Sequence, residues 1–320
     1  MKRLSLEQIQ SITVGAIKIT KQTDGIHFQK HTDAQIEAWT SIKQILGDRS
    51  KCTVGVRLDF YTSSHNLAFS ASEGNKFELY VNGVFRKQFF MNTLRKNNEY
   101  AQAELVDPSD EHVEQVRVTL YFPAHEIGVL DWIELDEGAT VLPHTFDRTI
   151  LFIGDSITQG WEATYDSLSY ANRVSRFFNA ESLIQGIGGA YFHESTFDRL
   201  PFDPDWVIVA YGTNDFGHYT SLEELRAHTS AHLGLIAEEY RGKRLIYISP
   251  IWRQVQEKPM GSFRECRKAL IEEATKLGLE HIDGLSLVPN DPTFFTDGLH
   301  PDNLGFSFYA ESLCRQLLNH

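Results

Sequence analysis

The sequence predicts an all-β sandwich over residues 1–147, followed by a doubly wound, parallel α/β sheet over residues 148–320. Short strand patterns recur through the first half with no long helix between them. From Thr149 onward, strand patterns alternate with helix patterns, as they do when parallel strands are joined by crossover helices. The length of 320 residues exceeds what one hydrophobic core usually holds, which favours two domains.

The first domain is predicted from the alternation of apolar and polar residues. Val54, Val56, Leu58 and Phe60 share one face of a strand, with Arg57 and Asp59 on the other face. The remaining strand candidates are Ile12 to Ile19, Ile26 to Gln29, Leu67 to Ser70, Phe77 to Val81, Tyr100 to Leu105, Val116 to Phe122 and Ile127 to Leu135. Asn82-Gly83 predicts a hairpin, because a type I′ turn needs positive φ at both central residues. The segment from Thr32 to Leu46 fits either a short helix or an irregular crossing.

The second domain is predicted from five short strands separated by helices. The strand candidates are Thr149 to Ile153, Ser182 to Gln185, Trp206 to Tyr211, Arg244 to Ser249 and Leu279 to Asp283. The helix candidates are Leu168 to Phe178, Leu222 to Tyr240, Phe263 to Leu277 and Leu304 to Leu318. Ser221 with Glu224 predicts a capping box at the start of the second of these helices.

Composition excludes several classes of partner. The formal net charge of −13 repels phosphate backbones and anionic membrane surfaces, so we expect neither a nucleic-acid partner nor a membrane. The first residues turn polar before a signal-peptide core could form, and three cysteines without paired spacing suit a reducing compartment. We therefore expect a cytoplasmic protein. The sequence leaves open whether the chain forms a homo-oligomer.

Residues suited to chemistry follow the predicted strands of the second half, where an open parallel sheet binds its ligands. Ser156 ends the turn Gly154-Asp155-Ser156 after the first strand. The glycine-rich run 185–189 follows the second strand, and Asn214 follows the third. Asp297 and His300 come after the last strand.

Together these residues supply the parts needed for acyl transfer. His300 can take the proton from Ser156, and Asp297 can hold the imidazole in the required tautomer. The backbone N–H groups of Ser156 and Gly186, with the side-chain amide of Asn214, can bind an oxyanion. The predicted site is therefore a catalytic triad of Ser156, Asp297 and His300 with an oxyanion hole of Ser156, Gly186 and Asn214.

At these residues the chain resembles the SGNH (GDSL-type) hydrolase family, whose members are esterases and lipases built on a flavodoxin-like sheet. The resemblance covers residues 148 to 318, and its four blocks match 154–158, 186–189, 212–215 and 297–301. It implies Ser156 as nucleophile, Asp297 and His300 as acid and base, and Gly186 and Asn214 as oxyanion donors. Many members carry an Asn just upstream of the second block, where this chain has Gln185, so Gly188 stays open as an alternative to Gly186.

The first half resembles the jelly-roll-like β-sandwich that precedes the hydrolase domain in some two-domain carbohydrate acetyl esterases. The matching stretches are 56–62, 77–83 and 135–139. The resemblance implies hydrolysis of a small-molecule ester, with an acetylated sugar or similar polar alcohol as the favoured substrate. The implied reaction passes through an acyl-enzyme and needs no metal and no organic cofactor.

Other interpretations stay open beside this one. Acyl transfer or thioester hydrolysis would use the same triad with a different acceptor or donor. A carbohydrate-binding protein with an inactive hydrolase domain is the alternative from another class. His228 and His232 stand at i and i+4, as metal ligands can, but no third ligand is evident, and a solvated helix flank is the simpler interpretation.

Overall fold

The computed structural model describes residues 1–106 and 114–319, and it divides the chain into two compact units. The first unit contains residues 1–30 and 51–146, and the second contains residues 31–50 and the chain from Asp147 onward. The division after Phe146 lies beside the domain boundary expected from the sequence. Residues 31–50 differ from that expectation, because they pack with the α/β unit although β strands flank them in the sequence.

Up to residue 146 the chain forms mostly strands. The elements are β1 (Lys2–Arg3), α1 (Leu6–Ile12), β2 (Thr13–Val14), β3 (Lys18–Gln22), β4 (Gly25–Gln29), α2 (Asp33–Ile42), α3 (Gln44–Ser50), β5 (Arg57–Thr62), β6 (Asn66–Glu73), β7 (Lys76–Val81), β8 (Val84–Phe90), α4 (Met91–Lys96), β9 (Ala101–Glu104), β10 (Val116–Tyr121), β11 (Val129–Leu135) and β12 (Leu142–Pro143). The predicted strand from Ile12 to Ile19 is wrong at its start. Ser5 and Gln8 form a capping box that begins helix α1, and α1 runs through Ile12.

The strands of the first unit form two antiparallel sheets, which make the predicted β-sandwich. One sheet has the order β3-β4-β11-β6-β9, with β1 beside β11, and the other has the order β12-β5-β10-β7-β8, with β2 beside β5. The apolar faces of both sheets contribute to one hydrophobic cluster, which includes Leu58 and Phe60 from β5 and Phe69 from β6. Asn82 and Gly83 adopt φ of 50° and 77° and join Val81 to Val84, so the predicted hairpin is confirmed.

The polar face of β5 carries a buried ion cluster. Asp59 is only 2% exposed and accepts two hydrogen bonds of 2.8 Å from the Arg117 guanidinium. Arg57 donates to the same carboxylate from two residues earlier on the strand, over 3.2 Å. Burial alone would raise the pKa of Asp59, but these two cations hold it below its ordinary value. The alternation in the sequence therefore placed Arg57 and Asp59 on the same face of β5. The structure adds that this face is buried.

From residue 147 the chain forms alternating strands and helices. The elements are β13 (Arg148–Gly154), α5 (Ser156–Gln159), α6 (Tyr170–Phe177), β14 (Ala180–Gly186), β15 (Trp206–Ala210), α7 (Asp215–His218), α8 (Leu222–Glu239), β16 (Arg244–Ile248), β17 (Glu257–Lys258), β18 (Gly261–Ser262), α9 (Phe263–Lys276), β19 (Glu280–Ile282) and α10 (Asn303–Asn319). Short 3₁₀ turns cover Asp166–Leu168, Glu194–Thr196, Gly284–Ser286 and Pro292–Phe294. No helix within the described ranges is both long enough and apolar enough to cross a membrane.

Five of these strands form the predicted parallel sheet, in the order β14-β13-β15-β16-β19. Counted from β13, this is the strand order 2-1-3-4-5 of flavodoxin-like folds. Ser221 caps α8 by accepting from the backbone N–H of Glu224, as predicted. The Glu224 carboxylate instead accepts from the backbone N–H of Thr220, so the reciprocal half of the capping box is absent.

Residues 31–50 form a helical pair that contacts strand β14 of the second unit's sheet near its end. Thr32 and Gln35 make a capping box at α2, and a Cβ at Gly47 would lie 2.0 Å from Thr40 Oγ1, so α3 approaches α2 closely there. Gln35 exchanges side-chain hydrogen bonds with Gln185 of β14. The segment is therefore part of the α/β unit, which its helical periodicity did not reveal.

Replacing Asp59 with Asn should destabilise the first unit by about 3–5 kcal/mol, because buried guanidinium charge then loses the carboxylate that neutralises it. Urea unfolding of the full chain measures the effect. The control is Glu134→Gln, which breaks the pair between Glu134 and Arg3, whose side chain is 65% exposed. We expect a loss below about 1 kcal/mol for this exposed pair. Equal losses in the two variants would contradict the assignment.

Candidate active site

Strand register brings the predicted site residues to one edge of the sheet. The central strand β13 pairs with β14 so that Gly154 lies beside Gly186. It pairs with β15 so that Gly154 also lies beside Ala210. The three strands end level with one another, and the residues that follow them share the carboxyl edge. This register joins the stretches that carry Ser156, Gly186 and Asn214.

The turn after β13 is tight and places Ser156 at the start of α5. Asp155 caps this short helix by accepting from the backbone N–H of Ile157 over 2.9 Å. A Cβ on Gly154 would lie 2.1 Å from Thr158 Oγ1, and a Cβ on Gly186 would lie 2.5 Å from the Gln159 nitrogen. Glycine is therefore required at both strand ends, because α5 folds back onto β13 and β14 without room for a side chain.

Ser156, His300 and Asp297 form a continuous hydrogen-bonded chain. Ser156 Oγ lies 2.8 Å from His300 Nε2, and His300 Nδ1 lies 2.8 Å from Asp297 Oδ2. The Ser156 and His300 side chains are largely buried, whereas the Asp297 side chain is 49% exposed. The structure thus brings together three residues that are up to 144 positions apart in the sequence.

The loop before α10 fixes the orientation of the imidazole. Asp297 Oδ1 accepts from the backbone N–H of His300 over 2.8 Å, while its other oxygen binds the ring. Gly298 allows this turn with φ of 74°. Thr296 donates its backbone N–H to the His300 carbonyl, and Asp302 caps α10 by accepting from Gly305. Backbone and side chain of His300 are therefore held by the same loop.

The electrostatics of the chain favour one tautomer of His300. Partial burial raises the pKa of Asp297, but hydrogen bonds from the backbone and side chain of His300 outweigh it and hold the pKa below its usual value. An ionised Asp297 accepts a hydrogen bond from the protonated Nδ1, so the lone pair of Nε2 faces the Ser156 hydroxyl. This is the arrangement in which an imidazole can take the serine proton.

The predicted oxyanion donors lie around the same strand ends. The Asn214 side-chain amide donates one hydrogen to the Ala190 carbonyl over 2.8 Å, which fixes the plane of the amide. The backbone N–H of Gly188 donates to Gln159 Oε1 over 2.7 Å. That bond occupies the backbone N–H of Gly188, which argues against Gly188, the alternative left open by the sequence, as an oxyanion donor.

Two residues that the sequence did not single out hold the glycine loop. Gln159, at the end of α5, accepts the Gly188 N–H, and Arg49, from α3, donates from Nη1 to the Gly188 carbonyl over 2.7 Å. The position of Gln159, three residues after Ser156 in a short helix, could have indicated its role. No sequence signal links Arg49 to a loop 139 residues away.

Two buried carboxyl groups flank the candidate catalytic residues. Asp155 precedes Ser156 and Asp215 follows Asn214, and both side chains are almost fully buried. Burial raises the pKa of each to about 7, and the Asp215 charge adds to the rise at Asp155. Asp215 Oδ1 accepts from the Phe192 backbone N–H over 2.9 Å, while Oδ2 has no partner among the residues described. Asp215 thus ties the loop after β14 to the loop after β15.

Other aromatic and histidine side chains near the strand ends lie either at the border of the site or in the core. The Trp161 ring lies 6.3 Å from the His300 ring, so this half-buried indole borders the site. Tyr211 is buried core. His228 binds Glu194, and His232 is buried with its Nδ1 on the His193 carbonyl, so His232 does not lie on a solvated flank as expected. Within the described ranges, no cluster of three or more His, Cys, Asp or Glu residues has an arrangement that could hold a metal.

Comparison with known proteins agrees with the fold. Residues 152–307 match the model of the GDSL-like lipase/acylhydrolase family. No curated protein matches the chain by sequence. Among solved structures, a salicylyl-acyltransferase from a tetracycline biosynthetic pathway has a TM-score of 0.77 at 16% identity, covering 96% of this chain and 94% of that chain.

Carbohydrate esterases are also among the similar structures. A family two carbohydrate esterase from Clostridium thermocellum, solved with cellohexaose, has a TM-score of 0.64 at 16% identity and covers 84% of this chain and 93% of that chain. An acetyl xylan esterase from the rumen bacterium Butyrivibrio proteoclasticus has a TM-score of 0.64 at 15% identity, covering 99% of this chain and 98% of that chain. At these identities the likeness establishes a shared fold, namely an SGNH-type sheet preceded by a β-rich region.

Replacing Asp215 with Asn should change how stability depends on pH. The folded protein keeps the Asp215 proton up to about pH 7, whereas the unfolded chain releases it near pH 4, so rising pH between these values lowers the stability of the wild type. Asn carries no such proton and still offers an oxygen to Phe192. We expect the variant to gain on the order of 2–4 kcal/mol relative to the wild type between pH 4 and pH 8.

Urea unfolding at a series of pH values measures this difference. Glu223→Gln, which removes a solvent-exposed carboxyl from α8, is the control and should follow the wild-type profile. An Asp215→Asn profile parallel to that of the wild type would mean that Asp215 is already ionised in the folded protein at low pH.

Proposed function

We propose that this chain, whose residues 152–307 match the GDSL-like lipase/acylhydrolase family, is an acyl esterase of the SGNH type that hydrolyses small acyl esters of carbohydrates or similar polar alcohols. We propose Ser156 as the nucleophile, His300 as the general base and acid, and Asp297 as the group that orients His300. The observation that carries this assignment is the hydrogen-bonded chain from Ser156 Oγ through the imidazole to Asp297, with 2.8 Å at each step.

The proposed reaction has two halves. Ser156 Oγ attacks the ester carbonyl carbon while its proton passes to His300 Nε2, and the carbonyl oxygen becomes an oxyanion. The oxyanion collapses, the bond to the alcohol breaks, and His300 gives its proton to the departing alkoxide. Water then attacks the acyl-Ser156 ester with His300 again as base, which releases the carboxylic acid and restores the serine.

We propose that the backbone N–H groups of Ser156 and Gly186 and the amide of Asn214 stabilise the oxyanion. Donors held in place before the reaction stabilise developing charge without a reorganisation cost. Two features support this role. The bond from Asn214 to Ala190 fixes the amide plane, and the register of Gly154 with Gly186 sets the backbone donor beside the nucleophile turn.

The proposed substrate class draws on the similar structures and on the edge of the site. An acetyl xylan esterase and a family two carbohydrate esterase share the fold. The half-buried Trp161 ring beside His300 provides an aromatic surface that the face of a sugar ring could contact. We therefore propose a short acyl group, with acetyl as the first choice, on a carbohydrate alcohol.

Acyl transfer is a second candidate function, because the salicylyl-acyltransferase also shares the fold over most of both chains. Its chemistry would begin with the same acyl-Ser156 intermediate and would differ only in the acceptor that replaces water. Incubation with an activated acetyl ester and increasing concentrations of a sugar alcohol separates the two. Hydrolysis predicts free acetate at every acceptor concentration, whereas transfer predicts an acetylated acceptor that rises at the expense of acetate.

Replacing Ser156 with Ala should leave a folded protein whose esterase activity is near background. The measurement is hydrolysis of p-nitrophenyl esters of increasing chain length, together with acetylated sugars. For the wild type we expect the highest kcat/KM with the acetyl ester and a decline with chain length. A wild-type protein that neither hydrolyses these esters nor reacts with a serine-directed fluorophosphonate would instead be the binding protein of the alternative class. Substantial activity in Ser156→Ala would mean that another group is the nucleophile.

Replacing Asn214 with Ala should lower kcat by about 10²–10³-fold with a much smaller change in KM, because an oxyanion donor acts mainly in the transition state. Steady-state kinetics with the acetyl ester measure both constants. Asn290→Ala removes an exposed amide elsewhere in the same unit and should match the wild type. A rise in KM alone would identify Asn214 as a group that binds the ground-state substrate.

A further inference from the structure

The helical segment 31–50 reaches the glycine loop of the candidate active site. Trp39 of α2 contacts Tyr191 edge-on, with ring centroids 6.4 Å apart. Leu46 of α3 has its Cδ2 3.4 Å from where a Cβ on Gly189 would lie. Together with the bonds between Gln35 and Gln185, these contacts follow the chain from the end of β14 through the loop. The segment therefore supports the backbone that carries the proposed donor Gly186.

Arg49 makes the one charged contact described between this segment and the loop. Its Nη1 donates to the Gly188 carbonyl over 2.7 Å, and its guanidinium lies 5.1 Å from the centroid of the Trp161 ring. No carboxylate pairs with Arg49 in the part of the chain that the structure describes. A hydrogen bond from a charged donor is about twice as strong as a neutral one, and this donor is also half-buried. The Arg49 side chain thus binds the Gly188 carbonyl and lies over the Trp161 indole.

The Gly188 residue is held from two sides. Arg49 binds its carbonyl oxygen, and Gln159 binds its N–H over 2.7 Å. The loop needs such support because glycines are intrinsically flexible, and Gly189 adopts φ of 89°. Oxyanion donors act only when their positions are fixed to within about 0.5 Å. Loss of either contact would let the Gly186–Gly189 backbone sample conformations in which the donor is misplaced.

From these contacts we propose that Arg49 is a positioning residue for the oxyanion loop, acting through Gly188 without touching the reacting atoms. The inference rests on the proposed function, since it assigns a role in the reaction at Ser156. The effect of Arg49 on energy should be larger in the transition state than in the bound ester. The loop donor meets a developing negative charge in the transition state but only a neutral carbonyl in the bound ester. Arg49 should therefore affect kcat and leave KM nearly unchanged.

The test compares Arg49→Ala, Arg49→Lys and Lys43→Ala in the full-length protein. Lys43 is an exposed cation of the same segment, so its removal changes the charge equally without touching the loop. With the p-nitrophenyl acetate substrate, we expect Arg49→Ala to lower kcat about 10–100-fold with a KM within about 3-fold of the wild type. Arg49→Lys should recover part of the loss, because an ammonium can still donate to Gly188 but cannot stack as a plane on Trp161.

Further measurements make the result decisive. Added guanidinium ion at millimolar concentration should partly restore kcat in Arg49→Ala and leave Lys43→Ala unchanged. The rate of labelling by a fluorophosphonate should fall in parallel with kcat. Thermal unfolding of each variant shows whether it is folded, and Arg49→Lys carries the test if Arg49→Ala is not.

Three outcomes would overturn the inference. Wild-type kcat in Arg49→Ala would show that the loop keeps its position unaided. A rise in KM with kcat unchanged would show that Arg49 binds the substrate directly. Activity retained in Ser156→Ala would overturn the proposed function and this inference together, whereas loss of activity there with unchanged Arg49→Ala kinetics would overturn only the role of Arg49.

Discussion

The pairing of β13 with both of its neighbours is the constraint on which the candidate active site depends. Parallel strands are joined by evenly spaced hydrogen bonds, so a register set along the strands also sets where they end. Gly154 lies beside Gly186 on one side and Ala210 on the other. The turns that follow β13, β14 and β15 therefore begin at one level, at the same edge of the sheet. His300, from the loop before α10, reaches Ser156 at this edge.

Close backbone approach is the second requirement of this arrangement. The short helix α5 lies so near the ends of β13 and β14 that no side chain fits on Gly154 or Gly186. The same approach brings Gln159 within reach of Gly188, so the helix that begins at Ser156 supports the neighbouring loop. Gly154 and Gly186 are thus needed for close packing as well as for the turns. They stand at the strand ends because α5 passes there.

Burial of Asp155 and Asp215 is an energetic cost that the surrounding structure compensates. A desolvated carboxylate is unfavourable, and the raised pKa values of both residues report that cost. Each side chain nevertheless accepts a backbone N–H, Asp155 from Ile157 and Asp215 from Phe192. These bonds shape the turns that carry Ser156 and Asn214. The two buried carboxyl groups therefore lie in the turns whose geometry positions the candidate catalytic residues.

The sequence by itself determined the two fold classes, the five strands and four helices of the second domain, and the stretches that meet at the sheet edge. It could do so because alternation and helical periodicity report which face of an element is buried, and because the short patterns that contain Gly154, Ser156, Asn214 and His300 occur together and in order along the chain. It did not assign residues 31–50 to the α/β unit, nor did it identify Arg49. Periodicity says that a face is buried but not against what. The contact of Arg49 with Gly188 joins residues 139 positions apart and exists only once α3 has packed beside the loop that follows β14, so tertiary structure alone decided it.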